Sequence, residues 1–194
     1  MRIAVALFED AEELDVVGPW EVLAAWATQW PEDGVEVFSV AGSTEPVRCA
    51  KGMRVIPDHT WATAPTIDVL VYPGGRGTRR ELADPSVLDR LRNLRSEGAL
   101  MTSVCTGSLV FAAAGLLHKR AATTWWGSLE ALAELDATID VRADDRFVDT
   151  GEVVTAAGVS AGIDMALHLV SRLGSVERAR EVRRYIQYDP EPPV

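Results

Sequence analysis

The chain is poor in cysteine, histidine and base, and it has no long apolar run. Two cysteines in 194 residues do not make a disulfide scaffold, so Cys49 and Cys105 are expected to be reduced. The three histidines stand in unrelated settings: His59 in a polar turn, His118 in a Leu-Leu-His-Lys-Arg linker and His168 in a helical pattern. None has metal-ligand spacing or the His-x-Glu spacing of glutamine amidotransferases, so metal catalysis is not expected. No stretch approaches the roughly 20 apolar residues of a membrane span. The short run Ile3 to Leu7 gives way at once to Glu9, Asp10, Glu12 and Glu13, which is not a secretory leader. A soluble, cytoplasmic protein is the expectation. Nineteen Lys and Arg against twenty-nine Asp and Glu, a net charge of -10, argue against nucleic acid as a partner, since that affinity depends on neutralising phosphates. The one basic cluster, Arg178, Arg180, Arg183 and Arg184, is interleaved with Glu177 and Glu181 at helical spacing and reads as a solvated, ion-paired helix face.

What is present is a regular alternation of short β-branched runs and longer helical patterns. Strands are expected at Ile3 to Phe8, Glu36 to Val40, Val69 to Tyr72, Ala99 to Val104, Thr138 to Val141 and Val153 to Ala156. Helices are expected at Trp20 to Trp30, with Pro19 at the first helical position, and at Pro85 to Ser96, Gly107 to Ala114, Ser128 to Leu135 and Gly162 to Leu173. This predicts one α/β domain over residues 1–194, with helices on a mostly parallel sheet. Val47 to Cys49, Arg54 to Ile56 and the Phe147 to Val154 segment read as hairpin additions. The proline-rich tail from Tyr188 to Val194 cannot be helical.

Ligand sites in such sheets lie at the carboxyl ends of strands, and three segments share that end. Cys105 follows a buried strand and precedes a helix of small residues, flanked by Ser103 and Gly107, an arrangement resembling the nucleophile elbow of hydrolases. The helix end favours thiolate there; a small buried filler is the other reading of a lone cysteine. Asp15, between Leu14 and Val16, is either a partly desolvated carboxyl sharing a proton with Cys105 or a cap on the helix beginning near Pro19. Tyr72-Pro-Gly-Gly-Arg-Gly-Thr78 can bring backbone amides close to a reacting atom. No Gly-Lys-Ser/Thr follows, so it is not a P-loop.

Leu14-Asp-Val-Val-Gly-Pro-Trp-Glu-Val-Leu23, Tyr72-Pro-Gly-Gly75, Ser103-Val-Cys-Thr-Gly-Ser108, Ala113-Ala-Gly-Leu-Leu117, Ala122-Thr-Thr124 and Ala161-Gly-Ile-Asp164 together resemble the ThiJ/PfpI superfamily. The chain is most similar to its isocyanide hydratase branch. The resemblance implies a flavodoxin-like sandwich, a homodimer, a strained cysteine elbow and a small-molecule substrate. It further implies Cys105 as nucleophile, Asp15 as its carboxyl partner where many members have Glu, and the backbone amides of Gly75 and Thr106 lining an anion-stabilising pocket. Val159 falls where that branch packs an aliphatic residue near the nucleophile. Trp125 stands where relatives commonly have His, which weakens a glyoxalase-like reading; Trp125 either faces the pocket or belongs to the core. The implied reaction adds water to an isocyanide through a cysteine thioimidate, with no cofactor. The alternatives are a redox- or ligand-sensing protein related to the ligand domains of AraC-type regulators, and conversion of 2-oxoaldehydes.

Overall fold

The computed structural model describes residues 1–190. Four of its apolar runs are buried along nearly their whole length and form the centre of one sheet: β1 (Arg2–Ala6), β6 (Val69–Tyr72), β7 (Leu100–Val104) and β11 (Val153–Ala156). Strands covered on both faces need apolar side chains in both directions, which is why these read as continuous apolar runs. The sheet is extended by β2 (Glu36–Ala41), the edge strand β5 (His59–Thr60) and β10 (Phe147–Asp149). Its order is β10-β11-β7-β6-β1-β2-β5, with only β10 antiparallel to its neighbour.

Side chains alternate between two cores, as the period of a strand requires. One face carries Ile3, Val5, Val71, Val104 and Val154 against α1 (Glu13–Gln29), α6 (Ala161–Leu173) and α7 (Val176–Tyr185). The other carries Ala4, Ala6, Leu70, Met101 and Val153 against α3 (Pro85–Ser96), α4 (Gly107–Ala113) and α5 (Leu129–Leu135). This is the flavodoxin-like layered sandwich expected. Among the described residues no helix is long and apolar enough to cross a membrane.

Several local expectations need correction. Helix α1 begins at Glu13 and carries Pro19 inside it, so Pro19 does not start the helix and Asp15 does not cap it. Proline forfeits one helical hydrogen bond, but Gly18 and Pro19 lie against Ile163 and Gly162 of α6, and this packing holds the first turns in place. The strand expected at Thr138 to Val141 shrinks to β9 (Asp140–Val141), which pairs with β8 (Ala121–Ala122) outside the main sheet. His59 sits on edge strand β5 with its ring against Phe38. A short helix α2 (Thr78–Glu81) follows the glycine loop. The expected hairpin of β3 (Val47–Arg48) and β4 (Arg54–Val55) forms a separate ladder, and β10 and β11 pair around Thr150 and Gly151. The last four residues of the Tyr188 to Val194 tail lie outside the described residues.

Candidate active site

The loops after β1, β6 and β7 meet at the carboxyl end of the sheet. Ala11 bridges Gly75, the Glu12 amide donates to the Gly74 carbonyl at 2.9 Å and the Gly77 amide to Asp10 at 3.1 Å. Close approach is what the glycines permit. A Cβ on Gly74 would fall 2.5 Å from the Thr106 amide nitrogen and 2.8 Å from Cys105 Cβ.

Cys105 lies on the turn between β7 and α4, with φ of 56°, the left-handed region that costs a residue with a Cβ about 1–2 kcal/mol. Its surroundings impose that conformation from both sides. The Cys105 amide donates to the carbonyls of Ala156 and Ala157 at 3.1 and 3.0 Å. Its carbonyl accepts from Thr124 Oγ1 at 2.9 Å and from Ser108 Oγ at 3.1 Å. Strain held by so many fixed partners is the usual mark of a functional turn. Val159, whose amide reaches the Cys105 thiol, is strained in the same sense at φ 47°.

Asp15 is fully buried behind the cysteine. Its Oδ2 accepts the Gly74 amide at 2.8 Å, while Oδ1 is buried without a hydrogen-bond partner of ordinary geometry. Burial pushes this carboxyl up to about 7, against the pull of the Gly74 amide and with added repulsion from Glu12. The Cys105 thiol is pushed up to about 12, by burial first and by the charge of Asp15 second; the amides of Thr106 and Val159 pull it back less strongly. The thiolate-favouring helix end expected from the sequence is therefore present but outweighed by burial of the thiol and by the charge of Asp15. Two neighbouring acids in so apolar a place retain a proton between them past neutrality. Cys49 is also raised, to about 11, by burial and by Glu13, Glu9 and Glu12, but it does not line the cavity over Cys105.

A cavity of about 840 Å³ opens over Cys105, lined by Gly75, Thr106, Trp125 and Val159. Every predicted pocket residue is thus brought together, with Asp15 beneath. Trp125 lines the cavity and also packs against the core, seated where Gly127 and Gly158 leave room for the indole. One detail differs: the Gly75 amide donates to Thr106 Oγ1 at 3.0 Å, so it is satisfied internally instead of pointing free into the cavity. The histidines are elsewhere, His118 bonded to Asp136 and His168 to Asp149. Sequence reading missed Thr124 and Ser108 as holders of the elbow, and Arg76 and Arg79 at the cavity lip. Thr124 lay in a quoted motif, but nothing local says which carbonyl a hydroxyl will find.

Residues 1–172 match the model of the DJ-1/PfpI family. The chain is 37% identical to isonitrile hydratase of Pseudomonas putida over 193 residues, covering 100% of this chain and 81% of that protein. It is 29% identical to the glutathione-independent glyoxalase DJR-1.2 of Caenorhabditis elegans over 176 residues, covering 90% and 89% of the two. The crystal structure of a ThiJ/PfpI family protein from Pseudomonas syringae superposes with a TM-score of 0.89 at 32% identity, covering 100% of this chain and 77% of the other. The family model matched over residues 1–172 and the 37% identity to isonitrile hydratase over the full chain make this chain a member of the DJ-1/PfpI family.

Proposed function

We propose that the protein hydrates isocyanides to N-substituted formamides. The observation that carries this is the pairing at the site: a cysteine that lines the cavity has directly behind it a buried carboxyl with a pKa raised to about 7, and no histidine lines that cavity. Isocyanide chemistry needs what this pair can supply. In the reactive state Asp15 holds the proton and Cys105 is thiolate. The sulfur attacks the terminal isocyanide carbon, and Asp15 protonates that carbon, giving a thioimidate and an Asp15 carboxylate. Water adds across the C=N bond, its hydroxyl to carbon and its proton to nitrogen. Collapse of this adduct expels the thiolate, the hydroxyl proton returns to Asp15, and the formamide leaves with the pair restored. Trp125 and Val159 give the cavity apolar walls suited to the substituent on nitrogen.

The likeness to isonitrile hydratase supports this reading, and the indole of Trp125 disfavours 2-oxoaldehydes because it shuttles no proton. The test is to incubate purified protein with cyclohexyl isocyanide and follow formamide appearance, beside methylglyoxal, in the parent and in Cys105→Ala. Formamide that depends on Cys105 is the expected result. Cys105-dependent loss of methylglyoxal without isocyanide hydration would overturn the proposal, and no Cys105-dependent turnover of either would move the protein to the sensing class.

A further inference from the structure

The cavity is apolar around the reacting atoms and cationic at its lip. Arg76 follows Gly75 on the glycine loop and Arg79 lies on the succeeding helix α2; both line the opening and are exposed to solvent. Among the described residues neither forms an ion pair with a carboxylate. The Arg76 side chain makes no hydrogen bond there, and Arg79 Nη1 reaches only the Gly75 carbonyl at 3.4 Å and Thr78 Oγ1 at 3.3 Å. Arg80, next in the chain, shows the contrast: its Nη2 donates to the Glu9 carbonyl and to Asp10 Oδ2, both at 2.9 Å. The acids at the lip, Glu12 and Glu13, are turned to Lys51. Lys51 Nζ bonds Glu12 and stands 3.9 Å from Glu13 Oε2, and its amide donates to Glu13 Oε1 at 2.5 Å. In a chain of net charge -10, two guanidinium groups without carboxylates at a cavity mouth call for an anion from outside.

We propose that Arg76 and Arg79 form a carboxylate-recognising subsite, so that the preferred substrate is an isocyanide whose nitrogen carries an apolar chain ending in a carboxylate. The inference rests on the hydratase reading and names its substrate class. Guanidinium groups bind carboxylates with paired, charge-assisted hydrogen bonds. The negative charge shared by Asp15 and Cys105 repels a carboxylate from the inner end, so both ends of the cavity enforce one orientation, isocyano carbon inward and carboxylate at the lip. The product is then an N-formyl amino acid.

The test compares 6-isocyanohexanoate with its methyl ester. In the parent, kcat/KM for the acid should exceed that for the ester by about tenfold at low ionic strength, since charge-assisted bonds at an exposed lip are weakened by solvent and salt. The difference should lie in KM. In the double variant Arg76→Gln/Arg79→Gln the acid-to-ester ratio should fall to about one, and in Arg76→Lys/Arg79→Lys it should partly return. Equal turnover of acid and ester in the parent, or a preference that survives the glutamine variant, overturns the subsite. If neither isocyanide turns over, the hydratase reading fails on its own, and calorimetric titration with 6-formamidohexanoate and its methyl ester decides the subsite separately. Tighter binding of the acid, lost in the glutamine variant, sustains it; equal or undetectable binding of both overturns it.

Discussion

The two ends of the central sheet are built on opposite principles. At the amino end, Gly34, Gly98 and Gly151 take positive φ in turns that lead into β2, β7 and β11, and a Cβ added at any of them would meet nothing within 4 Å. At the carboxyl end, residues that bear side chains adopt that conformation too, at Asp10, Cys105 and Val159, beside Gly75, and the glycines at 74, 75, 77 and 107 are wedged against backbone. The amino end is open, so a side chain added there would meet only the strain of its own positive φ. The carboxyl end stores strain, a buried carboxyl and an orphaned oxygen in one place, and it is there that the cavity opens. Stability is set aside where chemistry is placed.

Substitutions at the two ends can break this contrast. The largest effect is expected at the elbow: Cys105→Ala should lower isocyanide turnover at least about a thousandfold, because removing the nucleophile removes the covalent route entirely, with little change in thermal stability. Turnover and melting temperature measured on one preparation check both halves.

Asp15→Asn should lower turnover by about a hundredfold or more, as loss of a proton donor does, while the protein still folds. Its stability carries a second signature. The folded carboxyl titrates near 7 against an ordinary 3.8, so the native state retains a proton that the unfolded chain has lost. The contribution of Asp15 to the parent's stability should therefore be fully present below about pH 4, decline as pH rises to about 7, and be lost above, while lowered carboxylates such as Asp136 act in the opposite sense in acid. The full span is at most roughly 4 kcal/mol. Urea unfolding across this range should show Asp15→Asn gaining on the parent as pH rises; parallel curves would mean that Asp15 is not held protonated.

Glycine substitutions sharpen the comparison at a smaller scale. Gly74→Ala forces a Cβ to 2.5 Å from the Thr106 amide and should cost about 1–3 kcal/mol by overpacking, together with most of the activity, since the atoms displaced hold Cys105 and Asp15. Gly151→Ala, in the open turn between β10 and β11, should cost only about 1 kcal/mol for its positive φ and leave kcat/KM unchanged. Equal losses of activity in the two would erase the distinction between the ends.

The sequence by itself determined the layered architecture and the place of the site. Its apolar runs placed β1, β6, β7 and β11 within one or two residues, because strands buried on both faces leave no choice of side chain. The run from Ser103 to Ser108 announced a strand meeting a helix at Cys105, since only small residues permit that turn. Tertiary structure alone decided the rest. Nothing local could extend α1 back through Pro19, because the packing against α6 that offsets the lost hydrogen bond comes from 140 residues away along the chain. The balance of charge at the site was equally hidden. A helix end favours thiolate in isolation, but burial and Asp15 reverse that preference, and burial is a property of everything the chain brings to one point. The same holds for Arg76 and Arg79, whose lack of a carboxylate partner among the described residues became visible only once the acids of the Glu12 and Glu13 turn had been placed against Lys51.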